Sequence, residues 1–230
     1  MLQIVSAFAA ARDSISWADD AINELRYAFQ VFIQGDVAEI VIEFDSQTSE
    51  HVRKLRFKSP FPKVLNRKTT EALINLRHSF DQAAAAAHRV TNSRRASDPT
   101  FPWGQTPKDV EFRLKQKGFD ERLRDTFMAH EPYPRADTHP GGDDIIRSLS
   151  MVANNKHTVG LGVHGYLTGV QYPTLSTGKG QLSFSMPTWD PVKNEAELVR
   201  WSGEANSDGK YEFAFQIVFN DFRFLSLWKR

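Results

Sequence analysis

The chain has 230 residues, of which 40% are hydrophobic, 12% aromatic and 25% charged, with a formal net charge of +1 and no cysteine. That composition excludes a disordered, collagen-like or disulfide-framed polypeptide, and the missing cysteine excludes thiol nucleophiles, cysteine-ligated zinc and iron–sulfur clusters. The charge is segregated: residues 1–52 carry 2 basic against 9 acidic side chains, whereas residues 53–95 carry 11 against 2. A pair of complementary faces accounts for this as readily as a polyanion site does.

Leu2 to Ala11 is mostly apolar, and Ala7-Phe8-Ala9 resembles a small-x-small cleavage site, but no basic segment precedes the run. No stretch reaches the roughly 18 uninterrupted apolar residues of a membrane span. The expectation is a cytoplasmic protein with no membrane partner. From Ser14, the residues Ile15, Ala18, Ile22, Leu25, Phe29 and Phe32 recur at helical steps, with Ser14 or Ser16 as cap and Gly35 as stop. Val37 to Phe44 and Val52 to Phe57 predict a β-hairpin over 37–57. Its second strand carries Arg53, Lys54, Arg56 and Lys58, a basic pattern suited to a sheet edge.

The longest helical pattern runs from Thr69 to Val90, with Leu73, Leu76, Phe80, Ala83/Ala84 and Ala87 on one stripe. The alanine run Ala83 to Ala87 leaves room for a closely packed helix, including that of a second copy in a homodimer. Pro107 to Gly118 and Phe119 to His130 predict two short helices. Glu131 to Gly142 reads as a proline- and glycine-broken loop, and Asp143/Asp144 suit the start of a helix over Ile145 to Asn154. Beyond Lys156, Thr158 to Val163, Tyr166 to Tyr172, Gln181 to Met186, Glu197 to Trp201 and Tyr211 to Phe219 read as strands, with a turn at Asp208-Gly209. The predicted fold is α+β: a helical first two thirds (1–155) containing the hairpin, and a mainly antiparallel sheet (156–230) packed on it as one unit.

The string Gly160-Leu161-Gly162-Val163-His164-Gly165 matches a dinucleotide-binding fingerprint in letters only, since no helix pattern follows it. His130, Glu131, Asp137, His139, Asp143 and Asp144 crowd into fifteen residues without the His-x-x-x-His spacing of a helical metal site, so neither metal nor cofactor is expected. On the long helix, Asn75, His78 and Gln82 share one polar stripe beside that of Arg77 and Asp81. Four residues apart, Arg77 and Asp81 suit an ion pair within the helix. The same guanidinium, with an imidazole beside it, suits a phosphodiester: arginine neutralises developing charge while histidine moves a proton.

Asn75-Leu76-Arg77-His78-Ser79-Phe80-Asp81-Gln82 resembles the signature Asn-Leu-Arg-Ser-Ala-Leu-Asp-His of a group of uncharacterised bacterial and phage-associated proteins. In that group a Phe-Pro loop follows, matched by Phe101-Pro102, and then a second signature ending in Asp-Lys-His, matched by Asn155-Lys156-His157. The Arg-x-x-x-x-His of the first signature is similar to the motif of HEPN-type helical domains, many of which are metal-independent ribonucleases acting as dimers. The resemblance implies Arg77, His78, Lys156 and His157 as catalytic candidates, with Asn75, Asp81, Gln82 and Asn155 in binding roles. The chain departs at the terminal histidine, which is Gln82. Glutamine hydrogen-bonds a phosphate but shuttles no proton at neutral pH.

Two readings follow. In one the protein cleaves or binds RNA, with His78 or His157 as base and Arg77 and Lys156 as electrostatic stabilisers. In the other it is a non-catalytic, antitoxin-like or structural binding protein, the polar helix cluster is a hydrogen-bond network, and the basic 53–95 stretch meets an acidic protein partner.

Overall fold

The computed structural model describes residues 2–60, 62–91, 99–155, 163–172, 178–184, 189–190, 192–205 and 211–219. The fold is α+β, and the chain divides into two units, each assembled from separated segments: Met1–Arg26 with Asn66–Leu161, and Tyr27–Leu65 with Gly162–Arg230. This division differs from the contiguous one expected from the sequence. The hairpin groups with the C-terminal sheet because its second strand finds another partner there.

The first unit is helical. It holds α1 (Leu2–Ala7), the larger part of α2 (Ala9–Gln34) and of α3 (Lys63–Thr91), then α4 (Pro107–Gln116), a 3-10 turn (Glu121–Leu123), α5 (Arg124–Ala129) and α6 (Asp144–Asn155). Helix α2 starts five residues before the expected cap. Ser14, almost fully buried, instead donates from Oγ to Gln82 Oε1 of α3 at 2.8 Å. Helix α4 begins as its sequence dictates: Thr106 accepts from the Asp109 amide and proline occupies the first turn, where its missing N–H costs nothing. Asp143 caps α6 by accepting from the Ile145 and Ile146 amides, each at 2.9 Å. The expected helix over Phe119 to His130 is broken into the 3-10 turn and the six-residue α5, because Asp120 accepts from the Arg122 amide and starts a tight turn.

The core of this unit is aromatic. Phe101, Trp103, Phe127 and Tyr133 are buried with Ala84, Val110 and Leu114, and Phe80 and Phe119 pack against them. Ring centroids lie 4.6 Å apart for Phe101–Trp103, 4.9 Å for Phe80–Phe101 and 4.8 Å for Phe119–Phe127, in edge and tilted arrangements favoured by the ring quadrupoles. The alanine run is thus occupied within the chain at Ala84, where a small side chain lets the rings approach α3.

The second unit is built on a five-stranded antiparallel sheet. Its strands are β1 (Ala38–Asp45), β2 (Glu50–Phe57), β4 (Gln181–Ser183), β5 (Trp189–Asp190) and β6 (Glu195–Ser202), ordered β1-β2-β6-β4 with β5 also on β6. A separate antiparallel pair joins β3 (Val163–Gln171) and β7 (Glu212–Phe219). The expected strand Thr158 to Val163 lies outside the described residues except for Val163, and so does the Asp208-Gly209 turn.

Strand β2 is interior to the sheet, which corrects the edge expected from its basic pattern. Its cations are matched across the strands: Lys54 Nζ meets Glu43 Oε2 at 2.6 Å and Glu195 Oε1 at 2.9 Å, while Arg56 donates to both carboxylates as well. The opposite face is apolar around one buried cation, Arg53, which donates from Nη1 to the Tyr211 hydroxyl at 3.1 Å and lies 5.4 Å from the Trp201 ring centroid. Leu55, Phe57, Ala196, Leu198, Val199 and Trp201 are buried there with Phe32 of α2, and Val170, Tyr172 and Phe213 pack against them. Strand alternation puts the charged set and the apolar set on opposite faces, and a bulge between Arg53 and Lys54 keeps that register.

Candidate functional site

Helix α3 carries five of the eight residues singled out in the sequence, and the structure sorts them by what they touch. Arg77 is held on three sides within the first unit. Its Nη1 donates to the Ser150 carbonyl of α6 at 3.0 Å, its Nε lies 3.5 Å from Asp81 Oδ2, and its guanidinium sits 5.2 Å from the Trp103 ring centroid. Asp81 in turn accepts from the Phe101 amide at 2.9 Å, fixing the aromatic loop against α3. Gln82, which stands where the HEPN-type motif has its terminal histidine, is engaged by Ser14.

His78 and Asn75 fall outside this network. His78 is exposed, and no described residue hydrogen-bonds or pairs with it. Asn75 lines a shallow open depression of about 500 Å³ with Asn66, Arg67, Thr70, Glu71 and Ile74, all on one side of α3. Asn155 ends α6, and Lys156 and His157 lie outside the described residues. The α3 cluster therefore unites Arg77 with Asp81, through Phe101 and Trp103, and leaves the nearest imidazole in solvent.

Two cations not singled out in the sequence, Lys117 and Arg147, feel the charge of Arg77. Lys117, at the C-terminal end of α4, donates from Nζ to the Thr100 carbonyl at 3.0 Å and to the Thr100 hydroxyl. Burial pushes its pKa down, and Arg113 and Arg77 push the same way against the pull of Asp81. The pKa of Arg147 on α6 is lowered by burial and then by Arg113 and Arg77. A trace of this grouping exists in the sequence, because Arg147 precedes Ser150 by three residues and so shares its helix face. The signal is too common to single out by itself.

Three of the acidic residues between 131 and 144, Glu131, Asp143 and Asp144, serve the backbone. Glu131 Oε2 accepts from the Gly142 amide at 2.9 Å and Asp144 Oδ1 from the Arg135 amide at 2.9 Å. Gly142 has φ of +113°, and a Cβ there would stand 2.7 Å from the Arg135 nitrogen, so the turn requires glycine. Both ring nitrogens of His139 are buried without a hydrogen-bond partner, its ring set edge-on to Tyr133.

Against family models, curated proteins and solved structures, the chain finds no match, so the site is read from its geometry.

Proposed function

We propose that the protein is a non-catalytic binding protein whose ligand carries phosphate, with RNA as the first candidate, and that the α3 polar cluster is the framework of the binding unit. The observation that carries this reading is the engagement of Arg77. A guanidinium held by a carbonyl, a carboxylate and an indole ring is committed to the fold, whereas a catalytic arginine must be free to follow charge developing on a substrate. Proton transfer needs an imidazole within hydrogen-bond reach of the reacting group. Gln82 offers no such proton, and His78 stands in solvent with no group among the described residues to orient it. Retained cations with a lost proton shuttle are what a HEPN-like ancestor would leave in a binding descendant.

The test is incubation of the purified protein with a mixed RNA pool at low salt without added metal, followed by gel analysis of wild type, Arg77→Ala and His78→Ala. The expected result is retarded but intact RNA, the same for His78→Ala, and a lowered melting temperature for Arg77→Ala. Cleavage that disappears in His78→Ala overturns the reading and restores the ribonuclease.

A further inference from the structure

The five-stranded sheet keeps one long margin open. In the order β1-β2-β6-β4 the outer strands are β1 and β4, and β4 has three residues whereas β1 has eight. No described residue pairs with the outer edge of β1. Edge strands are ordinarily guarded by lysine, proline, a bulge or short length. Strand β1 has none of these: its register against β2 runs unbroken from Ala38↔Phe57 to Asp45↔Glu50, and no lysine, arginine or proline occurs between Arg26 and Arg53.

The side chains of β1 form two rows. On one side Ile40, Ile42 and Phe44 are 40%, 51% and 60% exposed, with Phe44 set edge-on to His51 of β2. On the other side Glu39, Glu43 and Asp45 flank Val41. Lys54 and Arg56 of β2 reach Glu43, and Arg200 of β6 reaches Asp45, so those cations lie on the inner flank of the row. Glu39 is exposed and pairs with no cation among the described residues.

A second copy does not suit this edge. In the two fullest antiparallel registers that keep the apolar row continuous, Glu39 stands opposite Asp45 or opposite Glu43, and like charges directly opposed are unfavourable. RNA does not suit it either, because its phosphates would meet the same acids. What fits is a strand of the reverse chemistry. Apolar side chains at every second position would continue the row of Ile40, Ile42 and Phe44, lysine or arginine between them would meet the acids, and main-chain hydrogen bonds to the open edge would supply affinity.

We infer that the outer edge of β1 binds an extended basic and apolar segment of a partner protein by adding it to the sheet as a strand. The site is independent of the RNA reading above: it lies in the second unit and takes a ligand of opposite charge.

The full-length protein is titrated at physiological ionic strength with the acetylated, amidated peptide Lys-Phe-Lys-Ile-Val-Ile-Lys, which complements β1 read antiparallel from Asp45 to Glu39. Two control peptides are the same sequence N-methylated at the alternate amides of its bonding edge, and a peptide of equal composition without the alternation. The expected result is saturable one-to-one binding by calorimetry, with hydrogen-exchange protection appearing on the β1 amides that do not bond β2. Affinity is expected to fall at least about tenfold for both control peptides and for Ile42→Lys, and about threefold for Glu39→Lys. Should Ile42→Lys melt below the wild type, the N-methylated peptide on unaltered protein decides alone. No saturable binding, equal binding of the N-methylated peptide, or binding without new protection on β1 overturns the site. A wild-type dimer that Glu39→Lys or Ile42→Lys dissociates, read by sedimentation, assigns the edge to a second copy and overturns it as well.

Discussion

Replacing Asp81 with alanine removes the one carboxylate that ties α3 to the aromatic loop. Two contributions are lost. The Phe101 amide donates to a charged acceptor at 2.9 Å, and losing a charge-assisted hydrogen bond and leaving the donor unsatisfied costs about 1.5–3 kcal/mol. The Arg77–Asp81 pair, at 3.5 Å with side chains 18% and 23% exposed, adds only about 0.3–0.5 kcal/mol, as one-turn helix pairs do. The expected destabilisation is about 2–3 kcal/mol, or roughly 5–10 °C in melting temperature for a chain of this size. Asp81→Asn keeps a carbonyl acceptor and loses the charge, so about half that cost is expected. Urea unfolding followed by circular dichroism gives the free energies, and hydrogen exchange of the Phe101 amide reports the bond directly. A loss below about 0.5 kcal/mol in Asp81→Ala, with Phe101 protection unchanged, would refute the structural account of the cluster.

In the second unit, Glu195→Gln is expected to cost about 2–4 kcal/mol, since it strips the buried anion from Lys54 and Arg56; Glu43→Gln, at a side chain 43% exposed, should cost under about 1 kcal/mol, and chemical denaturation orders the two. Gly180→Ala places a Cβ 2.1 Å from the Ser202 carbonyl oxygen and 2.6 Å from the Ala205 nitrogen, so a loss of about 1–3 kcal/mol and weakened exchange protection on the β4–β6 pair are expected. The side chain and amide of Arg122 hold the Asp120 carboxyl down to about 2, from an ordinary 3.8. Its folded pKa is depressed, so its contribution is complete above that ordinary value and is lost as pH falls toward about 2. Carboxyl NMR titration checks this, and a midpoint at the ordinary value for Asp120 would contradict it.

Where residues interact with near neighbours in the chain, the sequence is informative. The stripe from Leu73 to Ala87 marks α3, Thr106-Pro107 marks the start of α4, and four-residue spacing marks the Arg77–Asp81 pair. Long-range matters are the illegible ones. The basic pattern of β2 has the same appearance at a sheet edge and in an interior, and only Glu195, far along the chain, decides between them. Phe101 and Trp103 lie in a loop without periodicity, so nothing local assigns them to Asp81 and Arg77. Three of the candidate residues, Asn155, Lys156 and His157, have no described side chain, and the second signature gains nothing from the geometry.

The interleaving of the two units governs the order in which the chain can be completed at the ribosome. The hairpin of β1 and β2 emerges early, but β6, which covers the second edge of β2, follows about 140 residues later, a delay of roughly ten to thirty seconds at ordinary translation rates. In that interval Leu55 and Phe57 have no sheet neighbour on that edge, while residues 66–161, the larger part of the helical unit, are synthesised between them and their partner. A nascent chain halted after α6 would therefore carry the segments of the helical unit together with an orphaned hairpin, an apolar strand edge open to other chains. Coexpressing residues 1–155 with 156–230 as separate pieces would require the sheet to be assembled across the break.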